Sequence, residues 1–237
     1  MSDLNSAIAE ILAVVRHATM VPEEGLRFTW SAAVDLLTKG RPGNFVECGT
    51  WFGGCSFGLA LIQKRLFGSV LRPVFMLDSF EGLPMAGQKD GPAAREYQQR
   101  THEPGYYDNC RAPIERVREL RAELGLSAKE CPLVPGWFDK SLPKIAADLQ
   151  DGIALLRVDC DWYDPVRQVL DQLEPLVCEE GVVIIDDYYA WDGAARAVHD
   201  YFSANNLAYR IRQIGQELFP AGAWFIKRPA RTFGGPL

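Results

Sequence analysis

Short runs of β-branched and aromatic residues alternate along the chain with longer segments whose apolar residues recur every three or four positions. Short apolar runs are typical of buried strands, and the longer spacing is typical of amphipathic helices. The pattern predicts seven strands, at Asn44–Glu47, Val74–Leu77, Pro132–Pro135, Ile153–Val158, Val182–Ile185, Tyr209–Ile214 and Ala223–Lys227. It predicts helices at Leu4–Arg16, Arg27–Thr38, Ser56–Leu66, Ile114–Leu124, Pro165–Leu176 and Asp192–Asn205. This alternation predicts an α/β fold, a doubly wound parallel sheet with helices on both faces.

The organisation along the chain is that of one domain. A chain of 237 residues, 48% of them apolar, fits one core better than two. We expect residues 1–40 to form an N-terminal helical cap that belongs to the same domain as residues 41–237. The periodicity stops between Glu81 and Asn109, where glycine and proline punctuate a polar stretch, and long loops of this kind are usually functional lids or disordered.

Composition narrows the set of partners. A formal net charge of −6 gives no general attraction to nucleic acid or to anionic lipid, and the chain has no run of basic residues that would create a local one. The first twenty residues lack a signal-peptide pattern, and no stretch is long and apolar enough to span a membrane. Six scattered cysteines favour neither a zinc site nor a disulfide framework. We therefore expect a cytoplasmic protein without nucleic-acid or membrane partners.

A glycine-rich turn joins the first strand to the helix that follows it. Gly49, Gly53 and Gly54 let the backbone approach a ligand closely, and the helix N-terminus behind them offers free N–H groups. The spacing differs from the dinucleotide and triphosphate motifs. The turn indicates some nucleotide-like ligand, although a tight turn without a ligand would explain it equally well.

An acidic residue, Asp78, ends the second strand. In a doubly wound fold a carboxylate at this position accepts hydrogen bonds from the two hydroxyls of a ribose. The alternative is that Asp78 caps the turn that follows, a common use of aspartate.

Four carboxylates follow the fourth and fifth predicted strands. Asp159 and Asp161 come after one strand, and Asp186 and Asp187 come after the next. The ends of these strands meet at the ligand-binding edge of such a sheet, where the carboxylates would repel one another. Arg157 alone is close in sequence to neutralise them, so a hard divalent cation, Mg²⁺ before Ca²⁺ or Mn²⁺, is expected. The alternative is a set of solvated acids that cap helices.

Several ordered motifs together resemble one enzyme family. They are Phe45–Gly49 with Gly53-Gly54, the stretch Asp78–Pro84, Gly136-Trp137-Phe138, Asp159 with Tyr163, and Asp186-Asp187-Tyr188. In this order they are similar to the macrocin and novobiocic acid O-methyltransferases, which methylate sugar or phenolic hydroxyls in natural-product biosynthesis. The resemblance runs from about Thr19 to Lys227. It implies a Rossmann-like sheet, mostly parallel with an antiparallel final strand, and S-adenosylmethionine and Mg²⁺ as cofactors.

The resemblance also implies roles for individual residues. The metal ligands would be Asp159, Asp186 and Asp187, separated as in catechol O-methyltransferase, whose catalytic lysine is replaced here by Trp162. The cofactor would contact Thr19, Met20, Glu47, Gly49, Gly53, Asp78, Ser79, Gly136, Trp137, Phe138 and Asp159. Two departures are Phe52, where the family often has arginine, and the segment from Met85 to Asn109, which has no clear counterpart and is expected to form part of the acceptor pocket.

The expected reaction is methyl transfer to a hydroxyl of a small molecule. Asp159 or Asp161 would accept the hydroxyl proton while the oxygen attacks the methyl group in line. Aromatic residues beside the acids are expected to form a flat wall that packs against a ring of the acceptor: Trp162, Tyr163, Tyr188, Tyr189 and Trp191.

The alternative functions are those of a metal-dependent hydrolase or phosphoryl-transfer enzyme, a non-catalytic cofactor-binding protein, and an enzyme that methylates nitrogen. The N-terminal helices could also support a homo-oligomer.

Overall fold

The computed structural model describes residues 2–145 and 147–228. Its strands are β1 (Asn44–Cys48), β2 (Val74–Asp78), β3 (Leu133–Pro135), β4 (Ile153–Val158), β5 (Val177–Ile185), β6 (Arg212–Gln216) and β7 (Phe219–Ile226). They form one sheet in the order β3-β2-β1-β4-β5-β7-β6. The first five strands pair in parallel, and β7 is antiparallel to both β5 and β6. The predicted fold class is confirmed, including the antiparallel final strand.

Helices flank this sheet. They are α1 (Ser2–Val15), α2 (Glu23–Thr38), α3 (Gly54–Phe67), α4 (Gly91–Gln99), α5 (Tyr107–Cys110), α6 (Ile114–Glu123), α7 (Phe138–Ile145), α8 (Tyr163–Leu173) and α9 (Asp192–Ala204). The short α5 is a single turn with left-handed backbone angles. On one face, α1, α2, α3 and α6 share a core, and on the other α7, α8 and α9 share a second. No helix within the described part of the chain is long and apolar enough to cross a membrane.

Several elements differ from the sequence prediction, among them α4, α7 and β6. Helix α4 lies inside the predicted loop, and because only Ala94 of its residues is buried it has little apolar periodicity to detect. Helix α7 is absent from the sequence prediction, because it contains Pro143 and proline is unfavourable in helix interiors. The sequence predicts a strand from Tyr209, but β6 starts at Arg212, and Tyr209 lies in a loop with its ring stacked on Phe225.

Candidate active site

A cavity of about 300 Å³ opens at the carboxyl ends of the central strands. Ligands of doubly wound sheets bind in this crevice, because the loops after neighbouring strands meet there. The structure brings almost all of the predicted site residues to its walls: Thr19, Met20, Glu47, Gly49, Asp78, Ser79, Gly136, Trp137, Phe138, Asp159, Asp161, Asp186 and Asp187. Gly53 is the exception. Gly53 precedes α3 with a left-handed backbone conformation, and it does not line the cavity.

The glycine turn after β1 is in direct contact with the carboxylate side of the cavity. Gly49 has a φ of 84°, and a Cβ atom there would lie 1.6 Å from the carbonyl oxygen of Asp159. The backbone N–H of Asp159 also donates to the carbonyl of Cys48 at 2.9 Å. Only glycine allows β1 and β4 to end this close together.

We predict that Gly49→Ala is strongly destabilising, whereas Gly68→Ala is not. Gly68 has nearly the same φ, 82°, but no atom within 4 Å of its added Cβ. Gly68→Ala should therefore cost only about 1–2 kcal/mol for the left-handed backbone. Gly49→Ala should cost several kcal/mol because the added atom overlaps Asp159. Thermal unfolding measures both, and equal losses of stability would show that the close approach at Gly49 is wrong.

Asp78 holds the glycine turn in place. One of its carboxylate oxygens accepts the backbone N–H groups of Thr50 (2.7 Å) and Trp51 (2.9 Å), and the other accepts that of Phe80 (2.7 Å). Burial raises the pKa of Asp78, and these three hydrogen bonds oppose the rise. The turn-capping role is therefore present in the structure. The predicted contact with a ribose stays a prediction, for which one lone pair remains.

Two polar groups of the same turn are left for a ligand. Among the residues that the structure describes, the Thr50 hydroxyl and the Trp51 indole N–H are buried without a hydrogen-bond partner, and both residues line the cavity. Buried polar groups in native proteins are almost always paired. These two groups therefore fit a bound polar molecule.

A fully buried arginine connects the two sides of the cavity. The Arg157 guanidinium donates through Nε to Glu47 (2.8 Å) and through Nη2 to Asp159 (2.9 Å), and Nη2 lies 2.7 Å from Asp186 Oδ1. Glu47 also accepts a hydrogen bond from the Ser56 hydroxyl. Burial lowers the pKa of Arg157, but the carboxylates, Asp186 foremost, outweigh it and raise the pKa, so the guanidinium stays charged.

Three carboxylates converge beside this arginine. One oxygen each of Asp159, Asp161 and Asp187 lies within 4.8 Å of the others. Asp161 has a left-handed φ of 57°, and its backbone N–H donates to Asp187 Oδ2 at 2.9 Å. The structure thus groups Asp161 with Asp159 and Asp187, while Asp186 lines the cavity next to them and contacts Arg157. The family resemblance implies Asp186 as the third ligand instead, and that assignment stays a prediction.

Charge repulsion within the carboxylate group is only partly offset by its neighbours. Burial and then the charge of Asp186 raise the pKa of Asp159 well above its usual range, although Arg157 opposes the rise. Burial and then Asp159 raise the pKa of Asp161 to about 8, against the hydrogen bond from the Trp191 indole. Burial, Asp161 and Asp186 raise the pKa of Asp187. An oxygen-only donor set with excess negative charge fits a hard divalent cation.

The segment between β2 and α6 supplies cavity residues that the sequence did not single out. Tyr97, Tyr107 and Cys110 line the cavity. Of the five aromatic residues predicted to form a wall, Trp191 lines the cavity, and its indole N–H donates to Asp161 Oδ1 at 2.9 Å. Trp162 packs edge-on behind it, with 5.0 Å between the ring centroids. No local motif marks Tyr97 or Cys110, because their position depends on the path of a long connection.

Fold and cavity together define a Rossmann-like α/β protein whose glycine turn lies next to a carboxylate group at the carboxyl ends of the strands. The model of the macrocin O-methyltransferase family (TylF) matches residues 14–225. The chain belongs to this family.

Individual relatives agree with the family match. The chain is 35% identical, over 76% of its length, to the 8-demethyl-8-(2,3-dimethoxy-alpha-L-rhamnosyl)-tetracenomycin-C 4'-O-methyltransferase of Streptomyces olivaceus, of which the match covers 65%. It is 27% identical to the mycinamicin III 3''-O-methyltransferase of Micromonospora griseorubida, over 84% of this chain and 76% of that one. Among solved structures, the O-methyltransferase NovP superposes with a TM-score of 0.76 at 27% identity, over 90% of this chain and 83% of that one.

Proposed function

We propose that the protein is an S-adenosylmethionine-dependent O-methyltransferase whose acceptor is a hydroxyl of a small molecule, a sugar or a phenolic or polyketide compound of antibiotic biosynthesis. One observation carries the proposal. The glycine turn and the carboxylate group share one cavity, and at Gly49 and Asp159 they touch. A methyl donor in the turn would therefore lie next to an acceptor held at the carboxylates, as in-line transfer requires.

The cofactor half of the cavity would hold S-adenosylmethionine through its turn and its aromatic rim. The unpaired Thr50 hydroxyl and Trp51 indole supply polar contacts, and Asp78 fixes the backbone that carries them. Trp137, which is 38% exposed at the rim, would stack on the adenine, as the sequence resemblance implies. Thr19 and Met20, between α1 and α2, would close the opposite side.

The carboxylate half would hold a divalent cation and the acceptor. Asp159 and Asp187 would be ligands, because the family resemblance implies both and both belong to the carboxylate group; either Asp161 or Asp186 would be the third. When bound, a divalent cation would supply electrostatic stabilisation of the charge that develops on the acceptor oxygen. Asp159 or Asp161 would accept the hydroxyl proton; Trp191 fixes one oxygen of Asp161 and leaves the other for this task.

The alternatives are less well supported by the contacts. A phosphoryl-transfer enzyme needs a free basic residue at the site, but Arg157 is paired with three carboxylates and Lys140 with Asp139. O-methylation rather than N-methylation follows the names of the relatives. The cytoplasmic location, the homo-oligomer, the inclusion of residues 1–40 in one domain and the absence of nucleic-acid and membrane partners stay predictions.

Isothermal titration with S-adenosylmethionine tests the proposal. We expect micromolar binding by the wild type, and about tenfold weaker binding by Trp137→Ala because an aromatic stacking surface is lost. Phe67→Ala is the control, since Phe67 is equally exposed, at 37%, but lies outside the cavity. Absence of any heat of binding by the wild type would contradict the proposal, and equal loss in both variants would contradict the role of Trp137.

A further inference from the structure

Asp90 is a buried acidic residue in the segment between β2 and α6, directly before α4. It does not line the active-site cavity. One of its carboxylate oxygens accepts the backbone N–H of Gly87 and the other accepts that of Tyr163, both at 2.6 Å. Gly87 is close in sequence, but Tyr163 is 73 residues away. Asp90 therefore joins the segment between β2 and α6 to the helix that follows Asp159 and Asp161.

The same carboxylate lies at the N-termini of two helices. Tyr163 is the first residue of α8, and Gly193 is the second residue of α9. A Cβ atom at Gly193 would lie 2.3 Å from Asp90 Oδ1, so glycine is needed for α9 to approach the carboxylate this closely. Neither helix is capped by the side chain of its own N-cap residue. Because helix N-termini carry free N–H groups and a partial positive charge, the Asp90 carboxylate stabilises both.

The N-cap residues of these two helices are tryptophans, Trp162 for α8 and Trp191 for α9. Their rings pack edge to face, with 5.0 Å between the centroids. The Trp191 indole N–H donates to Asp161 Oδ1 at 2.9 Å, and the backbone N–H of Asp161 donates to Asp187 Oδ2 at 2.9 Å. An N-cap residue moves with the first turn of its helix. The position of Asp161 therefore depends on where α8 and α9 begin.

The residue before Asp90 contacts the same two helices. The carbonyl oxygen of Lys89 accepts a hydrogen bond from Arg196 of α9 at 2.7 Å, and Lys89 Nζ lies 3.8 Å from the centroid of the Tyr163 ring of α8. Arg196 is exposed, whereas Asp90 is buried between the helices. Hydrogen bonds to a buried carboxylate are the stronger of the two kinds, so Asp90 should dominate this attachment.

We propose that Asp90 is a positioning residue for the carboxylate group: it holds the first turns of α8 and α9 together and so keeps the Trp191 indole on Asp161. The consequence for chemistry rests on the proposed function, in which Asp161 binds the cation or accepts the proton. Because Asp161 also donates to Asp187, a displaced Asp161 would weaken the cation site in either case. The segment between β2 and α6 thus acts on the carboxylates in addition to lining the cavity.

The indole N–H resonance of Trp191 reports on Asp161 without any ligand. In a ¹H–¹⁵N spectrum, Trp191→Phe assigns this resonance, and Asp161→Ala shows where it lies once the indole has lost its acceptor. Asp90→Asn keeps the shape of the side chain but turns one acceptor oxygen into an NH₂ donor, which faces a backbone N–H. We expect this variant to move the resonance towards its position in Asp161→Ala. Mn²⁺ titration followed by electron paramagnetic resonance should show about tenfold weaker binding than in the wild type.

Glu174→Gln is the matched control. Glu174 is also a buried carboxylate with two hydrogen bonds, from the hydroxyls of Tyr201 and Tyr209, but it lies at the other end of α8. Its substitution should lower the unfolding temperature, as Asp90→Asn does. It should leave the Trp191 resonance and the Mn²⁺ affinity unchanged, because the start of α8 is not affected.

Gly193→Ala is a second variant, which displaces the Asp90 carboxylate while Asp90 itself is kept. It should move the Trp191 resonance in the same direction, and it carries the test if Asp90→Asn does not fold. A resonance that stays at its wild-type position, or one that moves equally in Glu174→Gln, would overturn the inference. So would wild-type Mn²⁺ affinity in Asp90→Asn. If the wild type bound no Mn²⁺, the cation of the proposed function would be contradicted instead, and the resonance would decide the inference.

Discussion

Replacing Arg157 by methionine should lower the unfolding temperature by roughly 10 °C or more. The substitution leaves Glu47, Asp159 and Asp186 buried without their shared cation. Breaking a buried ion pair by removing one partner costs about 3–5 kcal/mol, which corresponds to a shift of this size in a domain of this length. Scanning calorimetry measures the shift. Saturating Mg²⁺ should restore part of the loss, because a divalent cation would replace some of the missing positive charge.

Arg116→Met is the control for this prediction. Arg116 also pairs with two carboxylates, Glu119 and Glu123, but all three side chains are exposed on α6. Exposed pairs contribute about 0–1 kcal/mol, so the unfolding temperature should hardly change. If the two variants lost the same stability, Arg157 would not hold the carboxylates together.

Asp187→Asn should reduce kcat/KM for methyl transfer by about a thousandfold or more. Asp187 belongs to the carboxylate group and follows β5, whereas the glycine turn follows β1. Loss of a metal ligand removes several kcal/mol of electrostatic stabilisation from the transition state. Affinity for S-adenosylmethionine should change little, since the contacts of the turn remain. Initial rates with and without EDTA, combined with titration of the cofactor, measure both effects.

The matched control is Asp164→Asn. Asp164 follows Asp159 and Asp161 closely in sequence, but it is exposed in the first turn of α8 and lies outside the cavity. Its substitution should leave the rate unchanged. Wild-type turnover by Asp187→Asn, or activity that is insensitive to EDTA, would exclude a metal at the carboxylates.

The fold and the edge of the sheet at which the site lies could be predicted from the sequence because both depend on local signals. Functional residues follow three predicted strands directly: Gly49, Asp159 and Asp186-Asp187. The site is therefore expected at the carboxyl ends of the strands. Parallel pairing then brings these ends together without further information. The antiparallel β7 came from the family resemblance rather than from periodicity.

The grouping of the side chains could not be predicted in this way. β4 ends at Val158, and Asp161 reaches the carboxylate group through a left-handed backbone conformation that no sequence motif indicates. Arg157 was recognised as a neighbouring charge, but its three partners lie on β1, after β4 and after β5. Contacts between distant strands depend on register and side-chain direction.

The most direct test of the central claim is a crystal structure with S-adenosylhomocysteine and Mn²⁺, with anomalous data collected at the manganese absorption edge. We predict the nucleoside along the glycine turn and one anomalous peak between Asp159 and Asp187, whose third carboxylate ligand identifies either Asp161 or Asp186. A nucleoside bound elsewhere, or a structure with the cofactor in place and no manganese at these carboxylates, would contradict the account.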